Sequence, residues 1–196
     1  MAEIYLTITE FEDLMQSIFC LILGWESDEL KNNVRISWPE EGQPAWEITD
    51  NLVFLRCYEQ DSSINKEREH TDEYQVSPDE FARDTKYSVL MAVDIIIYGP
   101  NSFENSRKIR DGIFTEEIKL ILKKNDIYLL PKESQITPKR ADEYFEGRWW
   151  RRTDMGLRFN ERMIVSTTIP AINSIDVEVY EGDEGSKIAD VNVSNE

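Results

Sequence analysis

The sequence predicts an α+β fold: a single, mostly antiparallel β-sheet with two helices packed on one face and a long C-terminal β-hairpin. Three observations predict it, namely two helical stripes of apolar residues, apolar runs typical of strands between and after them, and a long alternating tract near the C-terminus. The two stripes need a shared surface for burial, and one face of a sheet would supply it. The chain of 196 residues is long enough to bury one ordinary core.

The first helix is predicted over residues 9–23. Thr9 and Glu12 have the spacing of a capping box, in which the hydroxyl and the carboxylate each accept a backbone N–H. Gly24 is a typical helix stop. The apolar stripe between them consists of Phe11, Leu14, Met15, Ile18, Phe19 and Ile22.

The next region predicts strands at residues 52–58 and 87–98, with a shorter one at 34–38. Between the two longer strands, residues 60–84 are acidic and lack apolar periodicity. We therefore expect a long acidic loop insertion there, either a solvated excursion or a functional segment. Its candidate interface residues are Glu67, Glu69, Asp72 and Glu73.

A single second helix is predicted to begin near Asn101 and to end near Asn125. Lysines in its last turns complement the helix dipole. A short strand at 127–130 and a polar connection at 131–146 follow. The apolar stripe of this helix consists of Ile109, Ile113, Phe114, Ile118, Ile121 and Leu122.

The C-terminal tract alternates between apolar and polar residues from Thr153 to Ser166, which predicts one long, bent strand. Pro170 marks a turn, and residues 175–180 alternate again as a return strand. The polar residues beyond predict a loose end. We therefore expect one domain over residues 1–182 and a flexible tail over residues 183–196.

Composition excludes several classes of function. One His and two Cys cannot build a multi-His metal site, a four-Cys zinc site or a disulfide framework. A formal charge of −17 argues against a general nucleic-acid coat. The longest apolar run, residues 18–25, is too short to cross a membrane, and the N-terminus lacks a basic signal region. We predict no cofactor, no metal and no membrane association, with Cys20 and Cys57 as core thiols.

A metal-dependent nuclease is a weak alternative. Asp94, Glu117 and Lys119 match a D…E-x-K pattern that can hold Mg²⁺. However, Glu117 and Lys119 fall in the second predicted helix, where residues two apart do not share a face. His70 has no partner signature, so we interpret it as a surface residue.

Residues 148–152 form an arginine–tryptophan tract, with three arginines and two tryptophans, and this tract is the most unusual candidate for an interaction surface. Trp and Arg dominate binding energy at protein–protein interfaces. Alternatively, a Trp enters the core while the arginines pair with the chain's own carboxylates. Nucleic-acid binding, with arginines on phosphates and tryptophans stacked on bases, is disfavoured because the rest of the chain is acidic. The candidate interface residues of this tract are Arg148, Trp149, Trp150, Arg151 and Arg152, to which we add Arg158.

The run from Trp150 to Phe159, followed by Ile172 to Val177, resembles the C-terminal strand pair of the bacteriophage neck or tail terminator (head–tail joining) family. The Gln43-Pro44 turn and the upstream strands and helix fall in the same order. The resemblance implies a structural virion protein that is not an enzyme. It implies a ring, commonly a homohexamer, which caps the head-proximal end of the tail tube, stops tube polymerisation and joins the tail to the head.

The same resemblance implies the partners and the location. They are other copies of the chain, the tail tube protein and the head connector or stopper protein, while phage DNA passes through the lumen without specific binding. The protein would be made in the host cytoplasm and reside in the neck of the virion. Two other classes remain open at this point: an acidic monomeric adaptor or inhibitor of the DNA-mimic type, and the nuclease.

Overall fold

A computed structural model describes residues 2–4, 6–37, 45–77, 80–170, 174–181 and 186–194. It confirms the α+β class. The helices are α1 (Ile8–Leu23), α2 (Asp28–Lys31), α3 (Ser102–Gly112) and α4 (Glu116–Lys124), with one 3₁₀ turn at Ile64–Lys66. The strands are β1 (Ala2–Ile4), β2 (Val34–Ile36), β3 (Leu52–Glu59), β4 (Glu69–Ser77), β5 (Glu80–Tyr98), β6 (Ile127–Leu129), β7 (Gln135–Arg140), β8 (Glu143–Phe145), β9 (Arg148–Trp150), β10 (Arg152–Pro170), β11 (Ser174–Glu181) and β12 (Ser186–Ser194).

The chain divides into two compact units. The larger comprises residues 5–67 and 87–163, and we call it the helical unit; the smaller comprises residues 1–4, 68–86 and 164–196, and we call it the strand unit. The long strands β5 and β10 contribute residues to both. The single domain predicted over residues 1–182 stays a prediction.

The sheet of the helical unit is built around β10 and β5. Its strand order is β10, β5, β3, β2, and β6 and β7 also pair with β10. The pairing of β2 with β3 is parallel, whereas β3 with β5 and both β6 and β7 with β10 are antiparallel. The polar connection predicted at 131–146 contains two strands, β7 and β8, that the sequence did not predict. Both are short and largely solvent-exposed, so they carry no apolar periodicity.

One face of this sheet forms the core with the helices. Odd-numbered residues of β3, β5 and β10 are buried together with the apolar sides of α1, α3 and α4. Phe11 of α1 meets Phe159 of β10 edge-on, with ring centroids 6.3 Å apart. The other members are residues such as Met15, Val53, Leu55, Val93, Ile95, Ile109, Ile118 and Leu157. The apolar and polar residues that alternate along β10 therefore lie on the core face and on the opposite face of the sheet, respectively.

Helix α1 confirms the first predicted helix but not its predicted cap. The N-cap is Thr7, whose hydroxyl accepts the N–H of Glu10 at 3.3 Å, while the Glu10 carboxylate accepts the N–H of Thr7 at 2.8 Å. Thr9 and Glu12 lie inside the helix. The predicted cap is two residues too late, because two T-x-x-E patterns overlap here. Only the earlier pattern begins at a residue with extended backbone dihedrals, Thr7. Gly24 ends the helix in the left-handed region, as predicted (φ 72°).

The predicted second helix is two helices. α3 ends at Gly112, and α4 starts after its own N-cap, Thr115, which has extended backbone dihedrals. A Cβ at Gly112 would lie 2.5 Å from Cγ2 of Ile22, so the glycine allows α3 to approach α1 closely. Glutamates in the first turn of α4 and lysines in its last turn suit the dipole of a separate helix.

The acidic segment 60–84 is a loop only over residues 60–68, which contain one 3₁₀ turn, so the prediction of a long loop is wrong in part. Residues 69–77 form β4, which pairs antiparallel with the first part of β5. The register places Glu69 opposite Lys86, and opposite charges across a strand pair are favourable. The segment is rich in charged residues, so it leaves no hydrophobic pattern in the sequence.

The C-terminal hairpin is confirmed, with a different pair of strands. β11 was predicted to return along β10, but it pairs with β12, and this pairing occupies residues 186–194 of the tail predicted to be flexible. The pairing with β11 gives the backbone N–H and C=O groups of β12 hydrogen-bond partners, which the sequence did not predict, while the flexibility of the tail stays a prediction. The predicted turns at 43–44 and after Pro170, with residues 182–185 and 195–196, lie outside the described residues.

Three titratable groups lie on the core side: Glu161 and Cys20 are buried, and Cys57 is partly buried. Glu161 of β10 is 2% exposed, and its carboxylate accepts the N–H of Leu6 at 3.1 Å. Burial raises the pKa of Glu161, and nearby Glu59 adds to this. Burial likewise raises the pKa of Cys57 to about 12, and it raises the pKa of Cys20. Neither cysteine is in a disulfide.

We predict that Thr7→Ala lowers the free energy of unfolding by about 1 kcal/mol, because it removes the hydroxyl acceptor of the capping box. Thr9→Ala is the matched control. Thr9 is exposed inside the helix, so its replacement should change stability by less than about 0.5 kcal/mol. Urea denaturation followed by circular dichroism measures both. Equal losses in the two variants would contradict the observed cap.

We predict that Glu161→Gln stabilises the fold at neutral pH. Because the pKa of Glu161 is raised in the folded state, the protonated carboxyl contributes fully to stability below its ordinary pKa of 4.5. This contribution is lost as the pH rises through the folded-state pKa. The amide keeps an oxygen for the N–H of Leu6 without a buried charge. Its advantage over the wild type in denaturant midpoint should therefore vanish near pH 4. A pH-independent difference would contradict this, and the exposed Glu104→Gln serves as control.

Candidate interaction surface

The face of the sheet opposite the helices holds a cavity of about 670 Å³, the sheet cavity. Even-numbered residues of β3, β5 and β10 point to it, because side chains alternate along a strand. Its lining combines aromatic rings with four cationic side chains and two carboxylates. These are Trp46, Phe54 and Tyr98; Arg56, Lys139, Arg152 and Arg158; and Asp94 and Asp154. In a chain of charge −17, this surface has an excess of cations.

Aromatic contacts form one wall of the sheet cavity. The ring of Trp46 lies 5.0 Å from Tyr98 and 6.0 Å from Phe54. Trp150 meets Trp46 edge-on at 4.7 Å. Such pairs contribute roughly 0.5–1.5 kcal/mol each beyond their buried area. The cluster therefore fixes the segment around Trp46 and the end of β9 against the sheet.

Arg158 is held at the floor of the sheet cavity. Its Nη1 lies 3.1 Å from Oδ1 of Asp94, and its Nε donates to Oε1 of Gln60 at 2.6 Å. The hydroxyl of Tyr58 donates to the other carboxylate oxygen of Asp94 at 3.0 Å. A Cβ on Gly156 would lie 3.3 Å from both Arg158 Nη1 and Asp94 Oδ1, so the missing side chain leaves room for the pair.

Arg152 links three elements at the rim. Its guanidinium binds Asp154 with two hydrogen bonds, of 2.7 and 2.9 Å, and reaches Oε2 of Glu143 at 2.9 Å. The other oxygen of Glu143 accepts the hydroxyl of Tyr98 at 2.6 Å. Burial and this hydrogen bond raise the pKa of Tyr98 to about 12, so the phenol stays protonated at neutral pH. Asp154 and the other partners raise the pKa of Arg152. The network ties β8 to β5 and β10.

A short hairpin, β8 with β9, projects from this anchor, and we call it the aromatic hairpin. Its turn residues Glu146 and Gly147 both have positive φ, 48° and 80°, as a tight two-residue hairpin turn requires. Tyr144 and Trp149 are cross-strand partners, with ring centroids 5.3 Å apart. Trp149 is 68% exposed, Tyr144 62% and Phe145 58%. Three large aromatic side chains are therefore held out to solvent on a fixed scaffold.

The arginine–tryptophan tract divides between the two interpretations that the sequence left open. Arg152 pairs with the chain's own carboxylates, as does Arg158. Trp150 is half-buried, and its indole N–H donates to the carbonyl of Phe145 at 3.3 Å. The exposed Arg151 donates to the carbonyl of Pro100 at 3.2 Å. Arg148 and Trp149 remain on the outer surface, where a partner can reach them.

The acidic candidates lie in a different part of the chain. Glu69, Asp72 and Glu73 belong to β4 of the strand unit, whereas the tract belongs to the helical unit. Glu67 is exposed just before β4. Their role as an interface is still a prediction.

The residues of the weak nuclease pattern are not brought together. Asp94 lies on the cavity face of β5 and binds Arg158, while Glu117 and Lys119 lie on α4. His70 is exposed, with Nδ1 3.1 Å from Oγ1 of Thr85. Among the residues that the structure describes, no group of three His, Cys, Asp or Glu side chains could hold a metal ion.

Sequence reasoning missed Trp46, Tyr98, Tyr144 and Phe145. A signal was present for the last two, because two aromatic residues precede Glu146-Gly147 and two tryptophans follow closely. Two residues ending in Gly, such as Glu146-Gly147, between two apolar segments are typical of a two-residue hairpin turn, because Gly readily adopts the positive φ that the turn needs. Trp46 and Tyr98 join the site through contacts between distant segments, which no local pattern reports.

A family model described as phage neck terminator protein matches residues 9–184. The chain belongs to the phage neck terminator family. A neck terminator is a structural protein of the virion neck, which is not an enzyme class, and it associates with other tail and head proteins. A comparison with curated proteins gave no match. Within the described part of this neck terminator, no helix is long and apolar enough to span a membrane.

We predict that Arg158→Ala lowers the free energy of unfolding by about 1–2 kcal/mol, because it removes a mostly buried guanidinium that bonds Asp94 and Gln60, while Asp94 itself is 38% exposed and stays hydrated. Arg148→Ala is the matched control, as it removes the same side chain from an exposed position and should cost less than about 0.5 kcal/mol. Thermal and urea unfolding measure both. Similar stabilities of the two variants would contradict the structural role assigned to Arg158.

Proposed function

We propose that this neck terminator forms a ring, as a homohexamer, on the head-proximal end of the tail tube. The ring binds the last ring of tube protein and covers the surface to which the next tube subunit would add, and so it stops polymerisation. Its other side receives the head connector or stopper protein. The family membership supports this role, since a neck protein must contact both tail and head.

The observation that carries the proposal is the aromatic hairpin. Tryptophan, tyrosine and arginine are enriched at the energetic centres of protein interfaces. Trp149 and Tyr144 are exposed on a hairpin whose base is fixed by Glu143 and Arg152, so little conformational entropy is lost when a partner binds. Arg148 lies beside them.

The acidic side chains form the second part of the proposed interface. Glu67, Glu69, Asp72 and Glu73 lie in β4 or just before it, while Arg148 and Arg151 are exposed in the tract. Contacts between acidic and basic parts of neighbouring proteins would set the register of assembly and would be sensitive to salt.

Charge also suits the passage of DNA. Six copies of a chain with charge −17 carry 6 × −17 = −102. Acidic groups facing the lumen would repel the phosphate backbone, so DNA would pass without binding. A ring structure with a neutral or basic lumen would contradict this part of the proposal.

We predict that phages carrying Trp149→Ala together with Arg148→Glu make tails of abnormal length or tails without heads. The two changes remove an exposed aromatic ring and reverse a neighbouring charge, and neither residue holds the fold together. Negative-stain microscopy of lysates measures tail length and head attachment. Lys108→Glu, an exposed charge reversal on α3, is the control. Normal particles from the double variant would count against an interface at the hairpin.

A second set of variants tests the acidic part. Glu69→Lys, Asp72→Lys and Glu73→Lys reverse the charge around β4 and should produce the same assembly defects. If the acidic set and the hairpin set both leave tail length and head joining normal, the terminator role proposed here is wrong for these surfaces.

A further inference from the structure

A second apolar surface lies on α4 and is not used by the sheet cavity or by the aromatic hairpin. A groove of about 380 Å³ runs between α4, β6 and the segment around Pro131, and we call it the α4 groove. Leu120 is 58% exposed there, beside Tyr128 and Phe114, which are also exposed. Large apolar side chains exposed together mark binding sites more often than isolated ones do.

The size of the α4 groove suits an aromatic side chain. The aromatic hairpin presents three exposed rings, and the volume of the groove lies in the range of pockets that bind small organic groups. Both belong to the helical unit but are built from different elements, β8 and β9 on one side and α4 and β6 on the other. A contact between them in two copies is head-to-tail, and head-to-tail contacts generate rings when the rotation closes.

Charge favours a second copy as the occupant. Two chains of −17 repel each other overall, so association is favoured where the local charge is low. Residues 101–150, which contain both surfaces, carry 10 Lys+Arg and 9 Asp+Glu, whereas residues 1–50 carry 2 and 11. The groove is lined by Lys119, Lys123 and Glu116, and the hairpin carries Glu146 and Arg148, so each surface can meet the opposite sign.

We propose that the aromatic hairpin of one copy docks into the α4 groove of the next copy. The proposal rests on the proposed function, in which copies assemble into a ring, and it names the two surfaces that make the ring contact. Trp149 and its neighbours enter the groove against Leu120 and Tyr128. Each copy uses its hairpin once and its groove once.

The test uses two variants that each disable one surface. Trp149→Ala removes the central ring of the hairpin, and Leu120→Glu places a charge in the groove; both residues are exposed, so the fold should persist, which circular dichroism checks. Analytical ultracentrifugation of the full chain should show concentration-dependent association for the wild type, and at least about a 10-fold weaker association for each variant alone. Phe103→Ala, an exposed aromatic residue on α3, should associate like the wild type.

Mixing the two variants gives the decisive result. One intact hairpin and one intact groove remain in the mixture, so an equimolar mixture should form 1:1 heterodimers that grow no further. A wild type that stays monomeric, variants that associate like the wild type, or a mixture that stays monomeric would overturn the proposal. If Trp149→Ala lost binding to purified tail tubes while self-association was unchanged, the hairpin would bind the tube protein instead.

The outcomes separate this inference from the proposed function. If Leu120→Glu phages make tails of normal length while the hairpin variants do not, the α4 groove is not the ring contact but the terminator role stands. If the wild-type protein neither associates nor binds tail tubes, the proposed function itself fails.

Discussion

The ion-pair network around Arg152 is the interaction on which the exposed surface depends. Arg152 joins Asp154 on its own strand to Glu143 on β8, and Glu143 in turn holds Tyr98 on β5. A two-stranded hairpin is only marginally stable by itself in water. Because these contacts connect its base to the main sheet, the hairpin can expose three aromatic rings and still keep one conformation.

Strand β10 contributes both to the core and to the sheet cavity, through alternate residues. Its odd positions, such as Leu157 and Phe159, complete the core with the helices, while its even positions, such as Asp154 and Arg158, build the sheet cavity. Gly156 belongs to the second set and provides space for a guanidinium. The stretch that resembles the neck terminator family is thus the stretch where folding and surface formation meet.

The sequence was sufficient for features that depend on local spacing. The stripe from Phe11 to Ile22, the stop at Gly24 and the period of two after Thr153 are such features, and each is confirmed. The division of the second helix was missed because the spacing of Ile109, Ile113, Ile118 and Leu122 continues across the turn at Thr115. The cap was misplaced because two patterns of equal quality overlap by two residues.

Features that depend on partners distant in the chain could not be predicted. β4 has no apolar pattern in its sequence, and its strand conformation depends on backbone pairing with β5. The arginines of the tract look equivalent in sequence, yet Arg152 and Arg158 have carboxylate partners and Arg148 is exposed, and Asp94 is 64 residues from Arg158. The sequence could not separate the arginines that pair within the chain from the one that is exposed, because that difference depends on the fold.

The two cysteines have a practical consequence for work on assembled particles. Only the thiolate form of a cysteine reacts readily with alkylating reagents, and the pKa values of Cys57 and Cys20 are both raised by burial. At neutral pH the native protein is therefore a poor target for maleimides. A cysteine introduced at an exposed position would be labelled selectively, which would allow a fluorophore or a heavy-atom cluster to mark the neck without removing either native thiol.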